Sequence, residues 1–137
     1  MTRLTTVVAA GIVLGAAGLI AARHDGKHEA VRTLAVRDIA EKLDGKKAKA
    51  TTVEVTLGPG EAGAPHRHPG PAFGYVLEGE YEWAIDDNPA KVLKAGDTFY
   101  EPTGCLHRVS RNPGKRGKAL LLAVVLHPAD VKDLVIP

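Results

Sequence analysis

GPGEAGAPHRHPGPAFGYVLEGE, residues 58–80, sets His66 and His68 one residue apart between a Gly/Pro-rich loop and an apolar run. In extended chain, residues two apart share a face and lie about 6.6 Å apart along the strand. Both imidazoles therefore reach one point while Arg67 turns away. Read alone, a His-x-His beside prolines is more often a polar loop than a ligand pair. The run from Pro69 through Leu77 carries no carboxylate, so the pair has no acidic companion close by in sequence.

Outward from this stretch the pattern is one of short strands. Val53, Val55 and Leu57 alternate with Glu54 and Thr56, as in a half-buried strand. AFGYVLEGEYEWAIDD (72–87) reads as two strands joined at Glu78-Gly79, and the second ends at the DDNP turn. AKVLKAGDTFYEP (90–102) reads as one strand interrupted at Gly96. CLHRVSR and ALLLAVVLH supply two more around the basic NPGKRGK loop (112–118). The run at 119–126 is apolar on both faces and predicts a central strand covered on each side. VRTLAVRDIAEKLDG (31–45) fits a short strand followed by a helical turn. Closely spaced turns and almost no helical period indicate an all-β sandwich or barrel, with the barrel placed at residues 46–137 and a leader and first strand region at 23–45.

The N-terminus differs in kind. Arg3 precedes nineteen uncharged residues, 4–22, and a polar stretch follows. The preferred reading of residues 1–22 is an export signal peptide, which places the mature protein in the periplasm or outside the cell. An uncleaved membrane anchor over residues 4–22 is the competing reading. With Arg3 set aside, 17 basic residues face 16 acidic ones, so nothing in the charge points to nucleic acid. Cys105 is the sole cysteine, which excludes an internal disulfide. It is expected to be a buried small residue, an intermolecular partner or a reactive thiol.

Gly60, His66, His68 and Gly79, followed by Gly96, Pro102, Gly104 and His107, resemble at the right intervals the two signature motifs of the cupin superfamily. The resemblance covers residues 60–112. It implies a small double-stranded β-helix, or jelly-roll barrel, and a divalent metal ion held inside it by His66, His68 and His107. Imidazole ligands suit iron, zinc, nickel or copper. A homodimer is a further implication. Two positions depart from the pattern. The motif glutamate falls at Ala72 or Phe73, neither of which ligates, and the final asparagine falls at Arg111, with Asn112 one place late.

Glu101 is the candidate for the missing carboxylate, since alternation puts it on the face of Phe99 and opposite Tyr100. Sequence does not fix whether that face points inward, and a solvated rim glutamate is the commoner case. Glu61 and Glu78, in a loop and at a strand end, are weaker candidates. His24, His28 and His127 have blander explanations as leader or strand-end residues. Arg108 and Arg111 read either as surface residues or as groups that steer an anion. The functional expectation is a metal-dependent dioxygenase or lyase acting on a small organic molecule, with a non-catalytic metal- or ligand-binding module as the alternative.

Overall fold

The computed structural model describes residues 29–137; the expected signal or anchor at 1–22 lies outside them. Eight strands follow in order: β1 (Ala30–Leu43), β2 (Lys46–Leu57), β3 (Ala72–Glu78), β4 (Glu80–Ile85), β5 (Lys91–Lys94), β6 (Thr98–Glu101), β7 (His107–Arg111) and β8 (Ala119–Pro128). They form a five-stranded sheet, β1-β2-β8-β3-β6, and a three-stranded sheet, β5-β4-β7. Every pairing is antiparallel. No helix is present among the described residues.

The sheets share one core. Leu57, Val76, Ala119 and Leu121 from the larger sheet bury against Tyr81 of the smaller, and Val55, Trp83, Leu93 and Phe99 pack around them. Each inward residue sits beside its cross-strand partner: Leu57 faces Ala119 and Val76 faces Leu121. Phe99 stands opposite Gly74, and its ring occupies the space where a side chain at that position would lie.

Three expectations are corrected. Residues 30–43 form one strand without a helical turn, hydrogen-bonded to β2 along its length. Register shifts between Thr33 and Ala35 and between Ile39 and Lys42 break the strict alternation. The apolar positions 31, 34, 35, 36, 39, 40 and 43 thereby acquire an irregular spacing, and the half-buried ones, Ala35, Ile39 and Leu43, fall four apart as in a helix. This strand lies within residues 23–45, the region expected to hold the leader and first strand. The second correction concerns 90–102. The break at Gly96 sends β5 and β6 to different sheets. Asp97 makes that corner, its carboxylate accepting the Lys94 amide at 2.7 Å. Third, β8 is central, but the second sheet covers only one of its faces. On the other, Phe73, Tyr75 and Tyr100 are 49%, 43% and 50% exposed, beside half-buried Leu122 and Val124.

Gly79 closes the β3–β4 turn at φ +78°, and a Cβ there would press into the Lys118 carbonyl. Left-handed backbone and overpacking each cost an L-residue about 1–2 kcal/mol or more. Gly79→Ala is therefore expected to lower unfolding free energy by about 2–4 kcal/mol in urea titration; a loss below about 1 kcal/mol would show that the turn gives way freely.

Candidate metal centre

His66 and His68 lie where the 60–70 loop runs beside β7. The His66 amide donates to the His107 carbonyl at 3.2 Å, and the His107 amide returns the bond at 2.8 Å. This bridge brings the third histidine to the first two. Ligand atoms of His66, His68 and His107 all lie within 4.8 Å of one another. Arg67 turns away, as alternation requires, and donates to the Gly104 carbonyl.

Proton accounting shows what the cluster lacks. His66 Nδ1 lies 2.7 Å from the Ala64 carbonyl, and His68 Nδ1 lies 2.7 Å from the Leu134 carbonyl. A carbonyl only accepts, so both Nδ1 atoms carry the proton and both Nε2 atoms a lone pair. Those two Nε2 atoms are 3.3 Å apart. Two lone pairs held this close suit a cation between them.

The third imidazole is fixed from the other side. Tyr81 donates its hydroxyl proton to Ser110 Oγ at 3.0 Å, and Ser110 donates to Glu29 Oε2 at 3.3 Å. Glu29, an acceptor, sets the direction of this chain. The Tyr81 oxygen is left to accept from His107 Nε2, 3.2 Å away, so the lone pair of His107 is on Nδ1. That atom is buried without a hydrogen-bond partner, and so is Glu101 Oε2. Burial, assisted by His66 and His68, pushes His107 from 6.5 down to about 3, which keeps the ring neutral. Burial also holds the Tyr81 phenol protonated well above its ordinary range.

Glu101 faces inward and is 1% exposed. Its Cα partner across the β3–β6 ladder is Ala72, the position where the motif glutamate falls. The carboxylate thus enters the centre from the neighbouring strand at the same level of the sheet. Its oxygens lie 3.2 Å from His107 Nδ1 and 3.4 Å from His68 Nε2. Trp83 of the smaller sheet donates its indole N–H to Glu101 Oε1 at 3.0 Å. Burial raises the Glu101 pKa in spite of that bond. Three lone pairs and an ionisable carboxyl with an orphaned oxygen form a donor set that fits a divalent ion.

Other readings resolve more simply. His127 is buried and satisfied, with Thr51 Oγ1 2.8 Å from Nε2 and Nδ1 donating to the Pro128 carbonyl. Glu61 accepts the Gly58 amide, and Glu78 pairs with Lys118 at 3.3 Å. Asn112 is buried and ties Leu57, Gly114 and Gly117 together, whereas Arg111 is exposed and pairs with Glu82. The late asparagine therefore takes the inward position. Burial pushes the Cys105 thiol up to about 11, so it is protonated at neutral pH and not a reactive thiolate.

Sequence reasoning missed Glu29, Ser110 and the C-terminal strap. The chain after β8 returns across the His66–His68 segment, and Ile136 and Arg67 exchange backbone hydrogen bonds at 2.7 and 2.9 Å. Leu134 supplies the carbonyl that fixes His68 and, with Val135, walls a cavity of about 80 Å³ next to the histidines. Outer partners of metal-binding histidines typically govern affinity by about 10–100-fold. Ending the chain after Val131 is expected to weaken metal binding by that factor in chelator competition. The fold should survive, since Val135 and Ile136 are 53% and 44% exposed. Unchanged affinity would show that the strap is only a cover.

Comparison with known proteins places this geometry in a family. The cupin domain profile matches residues 53–125, more than half of the chain. A gentisate 1,2-dioxygenase from a Streptomyces species is 39% identical over 51 residues, 37% of this chain and 14% of that protein. A structure of oxalate oxidase in complex with the substrate analogue glycolate superposes with a TM-score of 0.57 at 27% identity, covering 74% of this chain and 52% of that one. An RmlC-like cupin from Shewanella frigidimarina, at 22% identity and a TM-score of 0.56, shares the fold over 78% of this chain and 83% of its own. The chain spans about half the length of the oxalate oxidase and about a seventh of the dioxygenase. The profile takes in both histidine-bearing segments together with the strands that bring them to one point, and by that match the chain belongs to the cupin domain family.

Proposed function

We propose that the protein is a metal-dependent cupin enzyme of the oxygenase or related lyase type, acting on a small organic molecule, with the ion held by His66, His68, His107 and Glu101. The observation that carries this reading is the pair of Nε2 lone pairs fixed 3.3 Å apart beside the orphaned oxygen of Glu101. Similarity to an oxalate oxidase and a gentisate dioxygenase supports it. A divalent ion bound there supplies Lewis-acid polarisation of substrate oxygens and, if iron, dioxygen chemistry.

The chain's own groups do the rest. Glu101 adds a negative charge to three neutral imidazoles and balances part of the ion's charge. Trp83 holds that carboxylate by its indole N–H, while Tyr81 orients His107. Val53, Ala72, Phe99, Leu121 and Val125 wall the cavity with apolar surface and keep bulk water from the reacting atoms. In this reading residues 1–22 direct export, and fusion of that segment to a periplasm-dependent reporter tests it.

A non-catalytic metal- and ligand-binding role is the second reading. It is favoured by the engagement of both lining hydroxyls, Tyr81 and Ser110, in the chain to Glu29, which leaves neither free as an acid or base. Plasma mass spectrometry of protein purified without chelator is expected to find a near-stoichiometric metal ion. Bound iron followed by dioxygen uptake in a substrate screen supports the enzyme. Zinc or nickel with ligand binding and no turnover supports the binder, and no uptake of any ion overturns both.

A further inference from the structure

The cavity beside the three histidines has an unusual charge balance. Among the described residues no lysine or arginine lines it. The three arginines nearest the histidines in sequence are all committed elsewhere. Arg67 donates to the Gly104 carbonyl, Arg108 to the carbonyls of Asp86 and Asn88, and Arg111 to Glu82. The expectation that Arg108 or Arg111 steers an anion therefore finds no support in their placement.

The charges that do line the cavity are carboxylates. Glu101 belongs to the metal centre. Glu29 stands apart from it, accepting the Ser110 hydroxyl and resting against Gly63, where any Cβ would collide with its carboxylate. Apart from the histidines, Tyr81 and Ser110, the other lining residues are aliphatic or aromatic. A small carboxylate entering here would meet two negative side chains inside apolar walls, with only the metal ion to offset it. Sites that take carboxylates ordinarily present an arginine fork or a comparable donor set, and an unpaired buried charge is among the costliest groups to accommodate. The cavity is also small. Its volume of about 80 Å³ is roughly half that of an apolar cavity of about 150 Å³ that takes benzene.

Resting on the metal-centre reading above, we propose that this cavity selects an uncharged molecule of a few heavy atoms that offers an oxygen to the metal ion and a hydroxyl hydrogen to Glu29, and that it discriminates against small carboxylates. Glu29 is then a specificity-determining residue. It would accept a ligand hydroxyl on the oxygen not occupied by Ser110 and repel a ligand anion.

Hydroxyacetone and glycolate test this directly, because they have the same number of heavy atoms and the same hydroxyl beside a carbonyl carbon, and differ in charge. Binding to the full-length, metal-loaded protein is read by ligand-observed NMR with a diamagnetic ion, zinc. Glycolate is the stronger ligand for zinc in water, so a protein that binds hydroxyacetone at least as tightly has reversed the intrinsic order. That reversal is the expected result. Glu29→Gln is expected to strengthen glycolate binding about tenfold without strengthening hydroxyacetone. Gly63→Ala, whose methyl displaces the Glu29 carboxylate, should shift the ratio the same way. Glycolate binding tenfold tighter than hydroxyacetone to the unaltered protein, or a ratio unmoved by both variants, would overturn the proposal. The two readings fail separately. A protein that takes up no ion overturns the metal centre, and the same pair of probes on the metal-free cavity then still decides the charge preference.

Discussion

Alanine at His66 is expected to strip the protein of its metal ion, with affinity falling by more than about 100-fold. The bound rests on a comparison: losing only an outer partner of a ligating histidine costs about 10–100-fold, and His66 stands at the centre itself. The metal-free protein should respond quite differently. There the His66 and His68 lone pairs face each other at 3.3 Å with nothing between them, so removing one relieves repulsion. It also orphans the Ala64 carbonyl that His66 now satisfies. These effects oppose each other, and unfolding free energy in chelator is expected to change by less than about 2 kcal/mol. Chelator competition and urea titration of the same variant separate the two quantities. An intact affinity would remove the metal centre from the account, while a collapse of stability without metal would make His66 a structural residue.

Changes at Glu101 are expected to move stability and metal affinity in opposite directions. Its pKa in the folded chain is raised above 4.5 by burial. The native state therefore holds this proton more tightly than the unfolded state does. The associated stability is fully present below pH 4.5 and is lost as pH rises through the raised value. His107 runs the other way, with its pKa lowered from 6.5 to about 3. Its contribution is present above 6.5 and is lost as pH falls toward 3. The two contributions therefore oppose each other as pH rises above 4.5, and below 4.5 the His107 loss acts alone.

Glu101→Gln removes the loss that accompanies Glu101 ionisation and should raise metal-free stability at neutral pH, while weakening metal binding by about 10-fold or more. The cross-strand geometry allows a sharper test. Because Ala72 and Glu101 are partners on the inner face, Glu101→Ala should lose affinity, and adding Ala72→Glu should recover most of it. If the single variant weakens binding and the double variant gains nothing back, Glu101 acts through Trp83 and the histidine network and not by taking the motif position. Neutral-pH stability that falls in Glu101→Gln would contradict the burial argument.

How legible this centre is from sequence depends on the distance over which each fact is decided. The His66–His68 pairing follows from two residues of extended chain, and His107 follows from motif spacing. β2, β3, β4, β7 and β8 all appear where alternation and turns place them. Glu101 was a candidate without an orientation, because its direction depends on the register of β6 against β3, set by residues more than twenty positions away. β1 was misread because two irregularities disguise its period. The Leu134 contribution is a backbone carbonyl, which any side chain at that position would leave in place. Glu29 precedes the first strand and carries no pattern of its own. A tyrosine and a tryptophan two residues apart on β4 were the available signal for Tyr81 and Trp83.

The strap also bears on when the protein can acquire its ion. Synthesis runs from the N-terminus, and the histidines at 66, 68 and 107 emerge well before the carbonyl of Leu134 and the Arg67–Ile136 pairing that hold His68 in place. A nascent chain still short of residue 136 lacks the carbonyl that orients His68, whereas His66 and His107 already have their partners in Ala64 and Tyr81. Only after those last residues have emerged and folded back are all three imidazoles held in place. If the centre holds a metal ion, tight binding is expected to follow strap closure and so to come after this region has been synthesised.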